Sequence, residues 1–123
     1  MSKNLKRFRQ LLTDPARSAV YAVSIPTDMA FEETRDLLAA CARLGVSVPG
    51  LFLNLVTPPG DCLLCSALYR RDALVRRKFQ RCLQGSEMTV VYRWGEVQGF
   101  RRLAELGQAL YQPNRVESSV YAC

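Results

Sequence analysis

The sequence predicts an α/β fold in which about three parallel strands alternate with four helices, in three layers. Three short segments, "SAVYAVSI", "LFLNLV" and "MTVVYRW", have the length and apolar composition of buried strands. Longer segments with apolar residues at helical spacing separate them, and this alternation predicts parallel pairing through right-handed crossovers. At 123 residues the chain is long enough for one domain with a single core.

The first helix is predicted over residues 4–12, where four apolar residues share one face: Leu5, Phe8, Leu11 and Leu12. Asp14 and Pro15 end it, because the residue before a proline disfavours helical backbone angles. The first strand follows over residues 18–25, and its nearly continuous apolar run predicts burial on both faces.

The second helix is predicted after Pro26, with Thr27 or Asp28 as the N-cap and Gly45 as the C-terminal stop. Its inward face is predicted to hold Ala30, Thr34, Leu37, Leu38, Cys41 and Leu44. The second strand is predicted over residues 51–56.

The third helix is predicted over residues 66–84, and Gly85 ends it. Its apolar stripe is predicted to consist of Leu68, Val75, Phe79, Cys82 and Leu83. A third strand over residues 88–94 leads to a last helix over 97–111, with an inward face of Phe100, Leu103, Leu110 and Tyr111. We expect one domain over residues 1–112 and a loosely held tail over 113–123.

Three strands are few for a sheet that is covered on both faces, and at least one sheet edge is expected to be exposed. The chain therefore resembles half of a larger sheet, or a unit that pairs with a partner or a second copy of itself.

Composition limits the function. No apolar run is long enough to span a membrane. Five irregularly spaced cysteines argue against a disulfide framework and favour a reducing compartment, so we expect a cytoplasmic protein. The net charge is +6, but the arginines are spread over several helices without interleaved aromatic residues, so we expect no nucleic-acid partner.

Motifs for catalysis are missing from the sequence. It contains no histidine, no GxxxxGK[ST] or GxGxxG phosphate-binding loop, and no serine or cysteine in a nucleophile elbow. Nothing in it supports catalysis by this chain alone.

The clearest chemical signal is the pair Cys62 and Cys65 in "TPPGDCLLC", between the second strand and the third helix. Three interpretations are open: half of a zinc site, a redox pair, or two idle thiols. Zinc needs four ligands and one chain offers two here, whereas a CxxC at a helix N-terminus also fits thiol-redox chemistry. Cys41 and Cys82 fall on inward helical faces and are expected in the core, and Cys123 has no assigned role.

The order of several short motifs resembles one family. These are "AVYAVSIP", Glu33-Thr34, "GLFLNLV" with Asn54, the CxxC that heads a basic helix, and "GEVQGFRRL" with Glu96 and Gly99. Together they are similar to the carboxyl-terminal part of the arsenical pump-driving, or anion-transporting, ATPases and their relatives that deliver tail-anchored membrane proteins. The resemblance covers residues 8 to 111 and implies a P-loop NTPase fold whose phosphate-binding loop lies outside this sequence.

The resemblance implies roles for particular residues. Asn54 matches an asparagine whose amide hydrogen-bonds adenine, although it could instead cap its own turn. Cys62 and Cys65 match a pair that meets its symmetry mate and shares one zinc across a homodimer. Glu96 and Gly99 match a loop that closes over the base. Here the sequence departs from the family pattern, because that loop is short and lacks the family's proline.

The resulting hypothesis is a carboxyl-terminal portion of an arsenical pump-driving-type ATPase. It would supply part of the adenine pocket for ATP or ADP with magnesium and a CxxC dimer contact, and would be inactive without the P-loop-containing portion of the same ATPase. A membrane transporter or membrane-protein cargo would be a further partner. The alternatives are a non-enzymatic interaction module with the same fold and a small CxxC thiol-redox protein.

Overall fold

The computed structural model describes residues 2–83, 85–93 and 97–111. In chain order the elements are α1 (Lys3–Thr13), β1 (Tyr21–Ser24), α2 (Asp28–Leu44), β2 (Gly50–Val56), α3 (Leu63–Cys82), β3 (Glu87–Tyr92) and α4 (Gly99–Tyr111). The three strands form one parallel sheet in the order β1-β2-β3. The predicted α/β fold of three parallel strands and four helices is therefore confirmed.

Capping residues set the limits of α2 as the sequence predicts. Thr27 is the N-cap, and its hydroxyl accepts a hydrogen bond from the Ala30 N–H at 3.2 Å. Gly45 ends the helix with a left-handed φ of 70°, a conformation that glycine adopts without a steric penalty.

The third helix begins earlier than predicted, at Leu63 rather than at residue 66. Cys62 is its N-cap, because the sulfur of this residue accepts a hydrogen bond from the Cys65 N–H. The Ser66 hydroxyl also donates to the Gly60 carbonyl at 2.9 Å and holds the preceding loop against the first turn. The CxxC pair thus belongs to the first turn of α3 and not to a free loop.

The core lies on the face of the sheet that α2 and α3 cover. Side chains of in-register residues in parallel strands point to the same face of the sheet. Ala22, Leu51 and Met88 are in register, and their side chains point to the core face. Leu51 and the next inward residue, Leu53, are completely buried beneath Val75 and Phe79 of α3. Phe31 of α2 packs edge-on against Phe79 with ring centroids 5.1 Å apart.

The opposite face is only partly covered, which corrects the expectation of a strand buried on both faces. Tyr21 and Val23 of β1 are 58% and 68% exposed. The reason is that α4, the helix on this side, contacts β3, so that no described element covers the β1 side of the face.

The predicted inward face of α4 is also largely wrong. Phe100, Leu103 and Tyr111 are exposed, whereas Ala109 is buried. Leu106 and Leu110, one turn apart, face the sheet. The residues of α4 that pack against the sheet therefore lie in the second half of the helix.

The inward face of α2 is partly as predicted. Thr34 and Cys41 are buried, but Leu37 and Leu44 are exposed. Thr34 is held inside because its hydroxyl donates to the Ala30 carbonyl at 2.7 Å and lies 2.8 Å from the Ser24 hydroxyl of β1. None of the helices in the described ranges is long and apolar enough to cross a membrane.

Candidate functional site

The carboxyl end of β2 is irregular. Leu53 pairs with Val90 and Val56 with Tyr92, so two residues of β2, Asn54 and Leu55, face one residue of β3. This extra residue is a β-bulge. Leu55 has a φ of 57°, a left-handed conformation that is unfavourable for a residue with a side chain. Strained backbone of this kind concentrates at functional sites.

Asn54 stabilises the bulge with one half of its amide. Its Oδ1 accepts a hydrogen bond from the Leu55 N–H at 2.9 Å. Its Nδ2 donates no hydrogen bond to any group in the part of the chain that the structure describes. The turn-capping interpretation of Asn54 therefore agrees with the geometry and leaves a donor available for a ligand.

A cavity of about 470 Å³ lies beside Asn54, between the outer sheet face and α4. Aliphatic and aromatic side chains make up most of its wall, and Asn54 contributes an amide. The lining residues are Val23, Phe52, Asn54, Leu55, Val91, Tyr92, Val97, Leu106, Leu110 and Tyr111. A largely apolar cleft with a few polar groups is the usual form of a small-molecule site.

The loop after β2 is fixed by a buried carboxylate that the sequence analysis did not single out. Asp72 of α3 is fully buried, and its Oδ2 accepts a hydrogen bond from the Thr57 N–H at 2.8 Å. Its Oδ1 accepts from Arg71 Nε and Nη2 at 3.1 and 2.8 Å. The sequence did indicate that Asp72 would be buried, because it lies four residues after Leu68 and three before Val75, on the face of the predicted apolar stripe.

Cys62 and Cys65 are joined as a disulfide, with their Cα atoms 5.1 Å apart. Leu63 and Leu64 between them are strongly exposed. No group of three or more histidine, cysteine, aspartate or glutamate residues is placed to hold a metal ion within the described ranges. In the disulfide form neither sulfur is a thiolate, so the pair could offer two zinc ligands only after reduction.

Of the two residues predicted to form the loop over the base, Gly99 is described by the structure and Glu96 is not. Gly99 begins α4 with a φ of 78°. Glu96 lies outside the described residues, as does the predicted tail over 113–123. The structure thus brings Asn54 to a cavity and places the CxxC pair separately, at the N-terminus of α3.

Comparison with known proteins establishes the family of this chain. A family model described as anion-transporting ATPase matches residues 1–112. The chain belongs to the anion-transporting ATPase family. A protein of Aquifex aeolicus (strain VF5), described as an arsenical pump-driving ATPase, is 28% identical to this chain over 115 residues. That match covers 88% of this chain and 36% of the relative, so the chain spans about a third of the relative's length.

Proposed function

We propose that this chain forms the adenine-binding part of the nucleotide site of an anion-transporting ATPase. The observation that carries the proposal is the position of Asn54, whose Nδ2 has no hydrogen-bond partner among the described residues and lies at the wall of an apolar cavity. The cavity lies at the carboxyl end of parallel strands, where α/β proteins bind their ligands.

The chemistry of the cavity suits a nucleotide base. Phe52 and Val91 offer an apolar sheet face, and Leu106 and Leu110 of α4 offer an apolar wall opposite. The flat faces of adenine are apolar and its ring nitrogens accept hydrogen bonds, so Asn54 Nδ2 can donate to one of them. Asn54 Oδ1 is already used by the Leu55 N–H, and this bond fixes the orientation of the amide.

The phosphate chemistry must come from elsewhere in the assembly. The 123 residues contain no GxxxxGK[ST] loop to hold the phosphates of ATP or to place magnesium. When bound, ATP with magnesium supplies the phosphoryl group, and this chain's residues bind and orient the base. The proposed partner is therefore the P-loop-containing portion of the same ATPase, and the proposed location is the cytoplasm.

The test uses the chain reconstituted with the P-loop-containing portion of the family's ATPase and measures adenine-nucleotide affinity. Asn54→Ala should weaken binding by about 1–2 kcal/mol, the scale of one lost buried hydrogen bond. Asn4→Ala, on the exposed surface of α1, is the matched control and should bind as the wild type does. The chain alone should show no magnesium-dependent ATP turnover. Unchanged nucleotide affinity in Asn54→Ala would limit this residue to capping the bulge.

We also propose, as a separate role, that Cys62 and Cys65 form a contact between two copies of the chain around one shared zinc. The support is that both residues lie in the first turn of α3 beside the exposed Leu63 and Leu64, where a second copy can approach. Two pairs of thiolates complete a four-ligand zinc site. The thiol-redox alternative is favoured by the disulfide that joins the pair in this structure.

The interaction-module alternative keeps the fold without nucleotide binding. The bare β1 side of the outer sheet face favours it, because exposed apolar residues such as Tyr21 and Val23 suit a protein partner. Under this alternative, the partner that binds the exposed face would be a membrane transporter or a membrane-protein cargo. Nucleotide affinity in the reconstituted assembly separates this alternative from the adenine-binding proposal.

A further inference from the structure

The first helix, α1, has an apolar face that no other described element covers. None of its residues is buried. Leu5 and Phe8 are 55% and 57% exposed, and Leu11 and Leu12 are also exposed. At 3.6 residues per turn these four side chains fall within about 120° of the helix circumference. They form one continuous apolar stripe.

The rest of the helix surface is strongly basic. Lys3, Lys6, Arg7 and Arg9 lie in α1, and the helix contains no acidic residue. Helical spacing places Arg7 and Arg9 on the two sides of the apolar stripe, with the lysines opposite it.

The four cations of α1 have no acidic partner among the described residues. None forms an ion pair with another residue in the described part of the chain. Some basic residues of the other helices, such as Arg35 and Lys78, form ion pairs with carboxylates, whereas others in the described ranges, such as Arg70 and Arg77 of α3, do not. The surface of α1 therefore presents both apolar area and uncompensated positive charge.

We propose that α1 docks on the surface of an anionic phospholipid membrane. The apolar stripe enters the boundary between headgroups and acyl chains, and the flanking cations lie against the lipid phosphates. Basic residues beside a Leu/Phe face are the pattern of helices that lie in the membrane interface. A helix of 11 residues is about 16 Å long, so it lies in the plane of the membrane and does not span it.

Charge favours lipid over a protein partner for this face. The basic helix α3 buries its apolar stripe against the sheet, whereas α1 combines four positive charges and no negative charge with an exposed apolar stripe. The cytoplasmic surface of membranes carries anionic lipids that attract clustered basic residues. This role is independent of nucleotide binding, because α1 contributes no residue to the cavity beside Asn54.

The test is co-sedimentation of the full chain with phospholipid vesicles, with any purification tag at the C-terminus. Vesicles of phosphatidylcholine and phosphatidylglycerol in equal parts should bind the chain about tenfold more tightly than vesicles of phosphatidylcholine alone. Raising the ionic strength to about 1 M should abolish this preference, since charges are then screened beyond about 3 Å.

Two pairs of variants test whether vesicle binding depends on α1 or on the overall charge and apolar surface of the chain. Leu5→Glu should lose most vesicle binding, whereas Leu74→Glu, at a similarly exposed leucine of α3, should retain it. The double variant Lys6→Glu with Arg9→Glu should remove the preference for anionic vesicles, and Arg70→Glu with Arg77→Glu on α3 should not. Circular dichroism checks that each variant is folded, and the charge variants keep the test decisive if Leu5→Glu unfolds.

Absence of binding to anionic vesicles would overturn the proposal. Equal losses in the α1 and α3 variants would overturn it as well, because the attraction would then come from overall charge. Binding to an acidic protein without binding to vesicles would assign the face to a protein partner instead.

Discussion

Asp72 on α3 accepts a hydrogen bond from the Thr57 N–H at 2.8 Å, across 15 residues of chain. This bond ties the carboxyl end of β2, next to the bulge at Asn54 and Leu55, to the helix that carries the CxxC pair. Asp72 is fully buried, and Arg71 supplies the opposite charge at the protein surface. A single carboxylate thus connects the two candidate sites.

Replacing Asp72 with alanine should destabilise the chain by about 2–4 kcal/mol, because the Thr57 N–H loses its partner inside the protein. Asp72→Asn should cost less, since an amide oxygen can still accept that bond. Asp36→Ala, at a strongly exposed aspartate of α2, is the control and should change stability by less than about 0.5 kcal/mol. Urea unfolding measures all three, and equal midpoints for Asp72→Ala and Asp36→Ala would contradict the role of Asp72.

The left-handed backbone of Leu55 gives a second prediction. Glycine adopts this conformation without strain, whereas a β-branched side chain is a severe outlier there. Leu55→Gly should therefore be more stable than Leu55→Val by about 1–2 kcal/mol, although valine is the better strand residue.

The measurement for Leu55 is again the free energy of unfolding in urea. Leu53, which is fully buried with regular strand pairing, supplies the control position. At position 53 the valine variant should be the more stable one, because Leu53→Gly removes the whole core side chain and Leu53→Val keeps most of it. If valine were also the more stable variant at position 55, the left-handed conformation would not be the one in solution.

The zinc proposal predicts that metal content and dimerisation are linked. Under reducing conditions with zinc supplied, the chain should bind about one zinc per two chains, and only in the dimer, because one chain offers two of the four ligands. Cys62→Ser and chelation should both shift the population to monomer with the sheet intact. Cys41→Ser is the matched control, because Cys41 is a free, buried thiol away from this pair.

Elemental analysis combined with the mass in solution measures this linkage. A metal-free monomer with a reversible Cys62–Cys65 disulfide would instead support the thiol-redox alternative. Repeating the measurement with the P-loop-containing portion present tests whether that portion has to bring two copies together before zinc binds.

Local patterns in the sequence determined the number, type and order of the elements. Apolar runs and helical spacing are properties of neighbouring residues, so they identified the three strands and four helices of the described ranges. The capping residue Thr27 and the stop at Gly45 were also predictable, because their interactions reach only a few residues along the chain. The position of Asn54 at the end of a strand follows from the same local pattern.

Tertiary structure alone decided which faces are covered and what Asn54 adjoins. Leu106 faces the sheet and Phe100 faces solvent because of where α4 contacts β3, which helical spacing cannot specify. The strain at Leu55 depends on the strand register, with two residues of β2 opposite one of β3. The burial of Asp72 was signalled by spacing, but its function required Thr57 to lie within hydrogen-bond distance, and only the fold brings those two residues together.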